Sequence, residues 1–120
     1  MSYINAEGIS RFRVEVVSSP EQLRKGLSDR RYLAPRSGML FVFPSLSVQS
    51  MWMPSMNFPL DIVWLDSNKT VTKIQENVNP CFENKNCKNY SSDYPVQYAI
   101  ELNAGDAKRI GLYIGLKLVF

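Results

Sequence analysis

The chain has 120 residues, 45% of them hydrophobic and 21% charged, with a formal net charge of +3 from 14 basic and 11 acidic side chains. That length suits one domain and that composition excludes disorder, while so small a charge supplies little counterion release, which argues against nucleic acid as a partner. Histidine is absent, and with it go the commonest general base, the usual catalytic triad and most catalytic metal centres.

Residues 1–10, MSYINAEGIS, read as an N-terminal extension and residues 11–120 as a single domain. The extension lacks the basic segment and apolar stretch of a signal peptide. Nowhere does an apolar run reach the roughly 18 residues that cross a bilayer. No transmembrane segment is expected, and anchoring through a leader removed from the native chain stays open. From Arg11 to Val17 polar and apolar residues alternate, placing Phe12, Val14 and Val16 on one face of a strand. Ser18 and Ser19 before Pro20 and Glu21 mark a helix start, and a short helix ending near Gly26 would carry Leu23 and Leu27 inward.

Met39–Phe43 and Val48–Met53 are apolar runs stopped by Pro44 and Pro54, and the short link between them predicts a hairpin. Leu60–Leu65 and Thr70–Glu76 flank the turn residues Asp66–Lys69 and predict a second. Val96–Leu102 alternates, with Val96, Tyr98, Ile100 and Leu102 inward and Gln97 and Glu101 outward. Asn103 is placed to cap a short segment that Gly111 ends, and Leu116–Phe120 closes the chain as a strand. About seven strands, two short helices and no βαβ alternation predict a mostly β (α+β) domain, an antiparallel barrel-like or sandwich fold.

Cys81 and Cys87 lie in NPCFENKNCKNYSSDYP, a stretch of loop-forming residues. A disulfide between them would stabilise by roughly 2 kcal/mol in the chain-entropy model. A structural zinc site would need two further ligands of the usual kind, and with no histidine and no third cysteine these are missing. A disulfide favours an exported location, periplasmic or extracellular, with the cytoplasm left open.

Three groups of residues could carry chemistry. Asp61 starts one strand and Glu101 ends another, positions from which two carboxyls can line a barrel mouth as acid and base. The plainer alternative binds each to a backbone amide or pairs it with Lys25 or Arg30. Met51, Met53 and Met56 with Trp52 bring thioethers and an indole together, a donor set suited to copper(I), although methionine is also the usual filler of irregular cores. Trp52, Trp64, Tyr90, Tyr94 and Tyr98 could form a stacking platform, most of them being expected in the core.

Lys25-Gly26-Leu27 with Arg30, then Gly38-Met39-Leu40-Phe41, Trp52-Met53-Pro54, Pro59-Leu60-Asp61-Ile62 and Glu101-Leu102-Asn103-Ala104-Gly105 follow one another in an order and spacing that resembles the domain-of-unknown-function 192 family. The resemblance implies a small, mostly β, barrel-like fold, often exported, with no established activity. It puts the family's polar motif residues on Lys25, Arg30, Asp61 and Glu101. Two departures stand out: Ser28 replaces a common methionine, and Trp52-Met53-Pro54-Ser55-Met56 lacks the lysine of the frequent WMKNT.

These readings converge on a non-enzymatic binding or accessory module. Its ligand-binding cleft would be lined by Lys25, Arg30, Trp52, Met53, Asp61 and Glu101, with a small molecule such as a carbohydrate as ligand. No catalytic residue, metal or cofactor is assigned, and the oligomeric state stays open. The alternatives are a hydrolase using Asp61 and Glu101, and a structural ion network of the four charges.

Overall fold

Strand β1 (Ser2–Ile4) opens the fold in a computed structural model that describes residues 2–53, 56–81 and 87–120. It pairs antiparallel with β2 (Phe12–Val17), and Ile4 is fully buried. The first ten residues thus supply an edge strand of the sheet, where an extension was expected. Within β2, Phe12 and Val14 enter the core as their alternation requires, but Val16 is exposed and Val17 is buried in its place.

Helix α1 (Pro20–Lys25) begins at Ser19, whose hydroxyl accepts from the Gln22 amide while the Gln22 side chain accepts from the Ser19 amide. This reciprocal capping box satisfies two end donors of a helix too short to hold itself. The chain returns as β3 (Ser37–Ser47), which lies parallel to β2. The β2–α1–β3 segment is therefore a βαβ unit, a pattern not expected from the sequence. Pro44 does not end β3: it sits exposed in an irregular stretch between Val42 and Ser47, where no ladder bond needs its missing N–H.

The expected hairpin partner of β3 is reduced to β4 (Ser50–Met51), and the two do not pair. Pro54, read as its stop, lies outside the described residues. The second hairpin is present as β5 (Leu60–Leu65) and β6 (Val71–Val78), with the Asp66 side chain accepting from the Asn68 and Thr70 amides in the turn. A short β7 (Tyr90–Ser91) pairs with β4 in a separate two-stranded sheet. Strand β8 (Val96–Asn103) runs antiparallel between β3 and β5. The main sheet has the order β1-β2-β3-β8-β5-β6 and is mixed, β2–β3 being its parallel pair.

Helix α2 (Asp106–Ile110) is capped by Gly105 and ended by Gly111, both with positive φ. Asn103, expected as its cap, instead donates to the Leu33 carbonyl at 2.7 Å and tethers the loop before β3. The last residues form no regular strand. They bridge both edges of the main sheet, Val119 to Asn5 beside β1 and Lys117 to Thr70 before β6. The sheet is thus drawn round toward a barrel without closing a continuous ladder.

Two cores result. One, inside the curl, gathers Phe12, Val14, Leu40, Val63 and Ile100 under α2 and the C-terminal residues. The other, on the outer face, gathers Met39, Phe41, Ile62, Trp64 and Ala99 under Leu27, Met53 and Met56. Every residue of β5 is buried because both of its faces are covered. The same double covering buries Glu101 on β8, expected outward, at 4% exposure. A Cβ at Gly38 would strike the Glu101 carbonyl oxygen of the adjacent strand, so glycine is what allows β3 to meet β8 at that point.

Candidate functional site

Strand register decides which candidate residues meet. Asp61 lies opposite Leu102, and Ile62 lies opposite Glu101, in the antiparallel β5–β8 pair. Directly opposed residues share a face and neighbours alternate, so Asp61 and Glu101 project from opposite faces of the sheet. They do not converge on one pocket, and the two-carboxylate arrangement a hydrolase would need is not assembled.

Asp61 is sealed inside the curl at zero exposure, where its carboxylate accepts from three backbone amides: Asn77 at 3.1 Å, Gly105 at 3.0 Å and Ala107 at 3.0 Å. Pro59-Leu60-Asp61 and Asn103-Ala104-Gly105 are therefore joined by this side chain, which satisfies the first amides of α2. Arg30 likewise has a structural partner, a two-pronged contact with Glu15 of β2 at 2.9 and 3.1 Å. The guanidinium hydrogen bond holds the Glu15 carboxyl below its ordinary value, and both side chains remain substantially exposed. Such pairs contribute little to stability. With Asp61 on amides and Arg30 on Glu15, the four motif charges form no common network.

The other four residues, Lys25, Trp52, Met53 and Glu101, line a single open cleft of about 590 Å³ between α1 and the chain that follows β3. Its walls are largely apolar, Phe41 and Phe43 from β3 facing Met51, Met53 and Met56. Trp52 stands half exposed, and Arg24 and Lys25, from the last turn of α1, add positive charge. Gly26 follows with positive φ and lies so close to the floor that a Cβ there would come 3.1 Å from the Phe41 ring and 3.5 Å from Glu101 Oε1. A smaller neighbouring groove, also touching Lys25, Gly26 and Ser28, carries the Arg30–Glu15 pair.

Glu101 is the unusual member. Its carboxyl carries no hydrogen bond and no ion pair among the described residues, and burial pushes its pKa up to about 8. It is therefore mainly a neutral acid at pH 7, able to donate one hydrogen bond and accept others. Among the described residues no group of three His, Cys, Asp or Glu side chains could hold a metal ion.

Cys81 and Cys87 are joined as expected. The disulfide stands behind the methionine wall: the Cys81 amide donates to the Met53 carbonyl at 2.9 Å, and β7 holds β4 through Met51 opposite Tyr90. Gln49 and Ser92 exchange two more bonds, at 2.8 and 3.0 Å. Replacing both cysteines by serine is expected to lower stability by roughly 2 kcal/mol, or about 8 °C in melting temperature. Amide exchange at Cys81 and Tyr90 should rise with it. Unchanged exchange there would mean the bridge does not hold this wall.

Sequence reasoning missed Glu15, Gly26, Phe41 and Phe43. A helix-ending glycine after Lys25 was the one visible signal, whereas the phenylalanines read simply as core.

The fold and cleft together define a class: a mixed-sheet α+β domain with an open cleft on the outer face of its sheet. The chain belongs to the DUF192 family, described as Uncharacterized ACR, whose model matches residues 3–120. It is similar to a solved structure from Sinorhizobium meliloti 1021 described as a "putative transcription regulator". The two share 35% identity at a TM-score of 0.87, over 98% of this chain and 89% of that one. A protein of unknown function from Novosphingobium aromaticivorans DSM 12444 is similar at 26% identity and a TM-score of 0.87, over 98% and 84%. No curated protein matches the chain.

Proposed function

We propose that the domain is a non-enzymatic binding module of an exported protein. Its ligand would sit in the cleft between α1 and Met51–Met53, with Glu101 at the floor. The observation that carries this reading is a carboxyl with no hydrogen-bond or ion-pair partner among the described residues, opening onto a preformed, mostly apolar cavity. A ligand that bonds to Glu101 would give this carboxyl the partner it lacks among the described residues. The disulfide is consistent with an oxidising compartment.

A polyhydroxylated sugar fits less well than the motif charges implied, because Asp61 and Arg30 are engaged elsewhere. The cleft better suits a compact ligand that is apolar or soft over most of its surface and offers one hydrogen-bonding or cationic group. The transcription-regulator description of the relative does not change this reading. The basic residues Arg24, Lys25 and Arg31 are interspersed with Asp29 and Glu15, and the net charge is only +3.

The test is a titration of Trp52 fluorescence and melting temperature with alkylamines, short carboxylic acids and methyl glycosides. At least one class is expected to bind, and Glu101→Gln should weaken it about tenfold, a difference of about 1.4 kcal/mol. If no compound and no cation perturbs Trp52 or the melt, the reading is wrong.

A further inference from the structure

The donors available in this chain narrow the ligand class for the same cleft. Histidine is absent, the two cysteines are bonded to each other, and no cluster of three carboxylates or cysteines exists among the described residues. Hard and borderline cations therefore have no site of the usual kind among the described residues. The chain has five methionines, and three of them, Met51, Met53 and Met56, line this one cleft.

All three come from the short stretch of chain that follows β3, and each is held differently. Met51 is held in β4 against Tyr90, Met53 hangs from the Cys81 amide through its carbonyl, and Met56 packs in the outer core beside Leu60. Met53 and Met56 are buried and Met51 is half-buried. Methionine commonly fills irregular gaps in a core. Here, however, three of them flank open space, with the Trp52 indole beside them and the Glu101 carboxyl on the cleft floor. Thioether sulfur prefers soft monovalent d10 ions, and an indole face adds cation–π attraction, so a neutral donor set suffices beside Arg24 and Lys25 at the cleft's edge.

We infer that the cleft is a site for a soft monovalent cation, copper(I) being the physiological candidate, held by the thioethers of Met51, Met53 and Met56 and covered by Trp52. This rests on the reading above that the cleft binds a ligand, and it names the ligand's class. The site holds the ion in its reduced state, and no redox step is required of the protein.

Silver(I) nitrate in chloride-free buffer is the first probe, because it needs no reductant and leaves the disulfide intact. Copper(I) supplied anaerobically as its acetonitrile complex, against a competing copper(I) chelator, is the second. One equivalent of either ion should bind with sub-micromolar affinity, quench Trp52 emission and shift the methionine methyl resonances. Met53→Leu and Met56→Leu should each weaken binding at least about tenfold, and Met51→Leu with Met53→Leu should abolish it. Met39→Leu, in the same core but outside the cleft, should change nothing. Zinc(II) and calcium(II) should not bind.

Silver(I) and copper(I) that bind no tighter than calcium(II), or that bind equally well to the Met51/Met53 double variant, would overturn the inference. If an alkylamine or acid still binds in a Glu101-dependent way when the soft ions do not, only the ligand class is wrong. If nothing binds, the cleft reading falls with it.

Discussion

Glu101→Gln is expected to produce a protein more stable than the wild type in mild alkali. The unfolded chain releases the Glu101 proton near pH 4.5, while the folded chain keeps it up to about pH 8. Between these values the folded state binds more protons, so stability falls as pH rises. The contribution is fully present below about pH 4.5 and fully lost above about pH 8. Its total is on the order of 5 kcal/mol at most, less whatever water entering the open cleft relieves. Glutamine has nearly the same shape and does not ionise, so its melting temperature should lack this component. Melting curves from pH 5 to 9 would show the two proteins close together at the acid end and the variant clearly ahead at the alkaline end. Parallel curves would mean that the carboxyl is solvated or paired when folded.

Asp61→Asn should act in the opposite way, with a large loss of stability and no loss of cleft binding. An asparagine retains one oxygen, but its amide group must face one set of the backbone donors now shared between Asn77, Gly105 and Ala107. Leaving buried amides unpaired at the start of α2 costs roughly 2–4 kcal/mol, equivalent to about 8–16 °C for a domain of this size. Trp52 titrations with whichever ligand the screen finds should give an unchanged affinity, because Asp61 is on the other face of the sheet. A weakened affinity at unchanged melting temperature would instead place Asp61 in the site.

The two carboxylates illustrate how far sequence patterns reach. Both stand in short polar motifs among apolar residues, and nothing in Pro59-Leu60-Asp61 or Glu101-Leu102 marks one as structural and the other as accessible. The difference arises from a pairing register between strands some forty residues apart, and a shift of one residue would put both carboxyls on one face. Lys25, Trp52 and Glu101 are grouped by their motifs, and they line one cleft because α1 and the methionine segment cover the same face. Arg30 was drawn away by Glu15, whose alternation within RFRVEVV marked it as merely solvent-facing.

Local chemistry was legible where it is locally determined. The helix start at Ser19, the Asp66 turn, the Gly111 helix end and the Cys81–Cys87 bridge depend on residues within a few positions of one another, and all four were legible in the sequence by itself. The β5–β6 hairpin joins them because a four-residue turn leaves its strands few other partners. Tertiary structure alone decided that β3 would run through Pro44, pair with β2 and β8 and leave β4 to β7, since edge and centre positions are settled by competition among distant strands. It also decided that both faces of β8 would be covered, which turned Glu101 from an expected surface residue into the acid at the floor of the cleft.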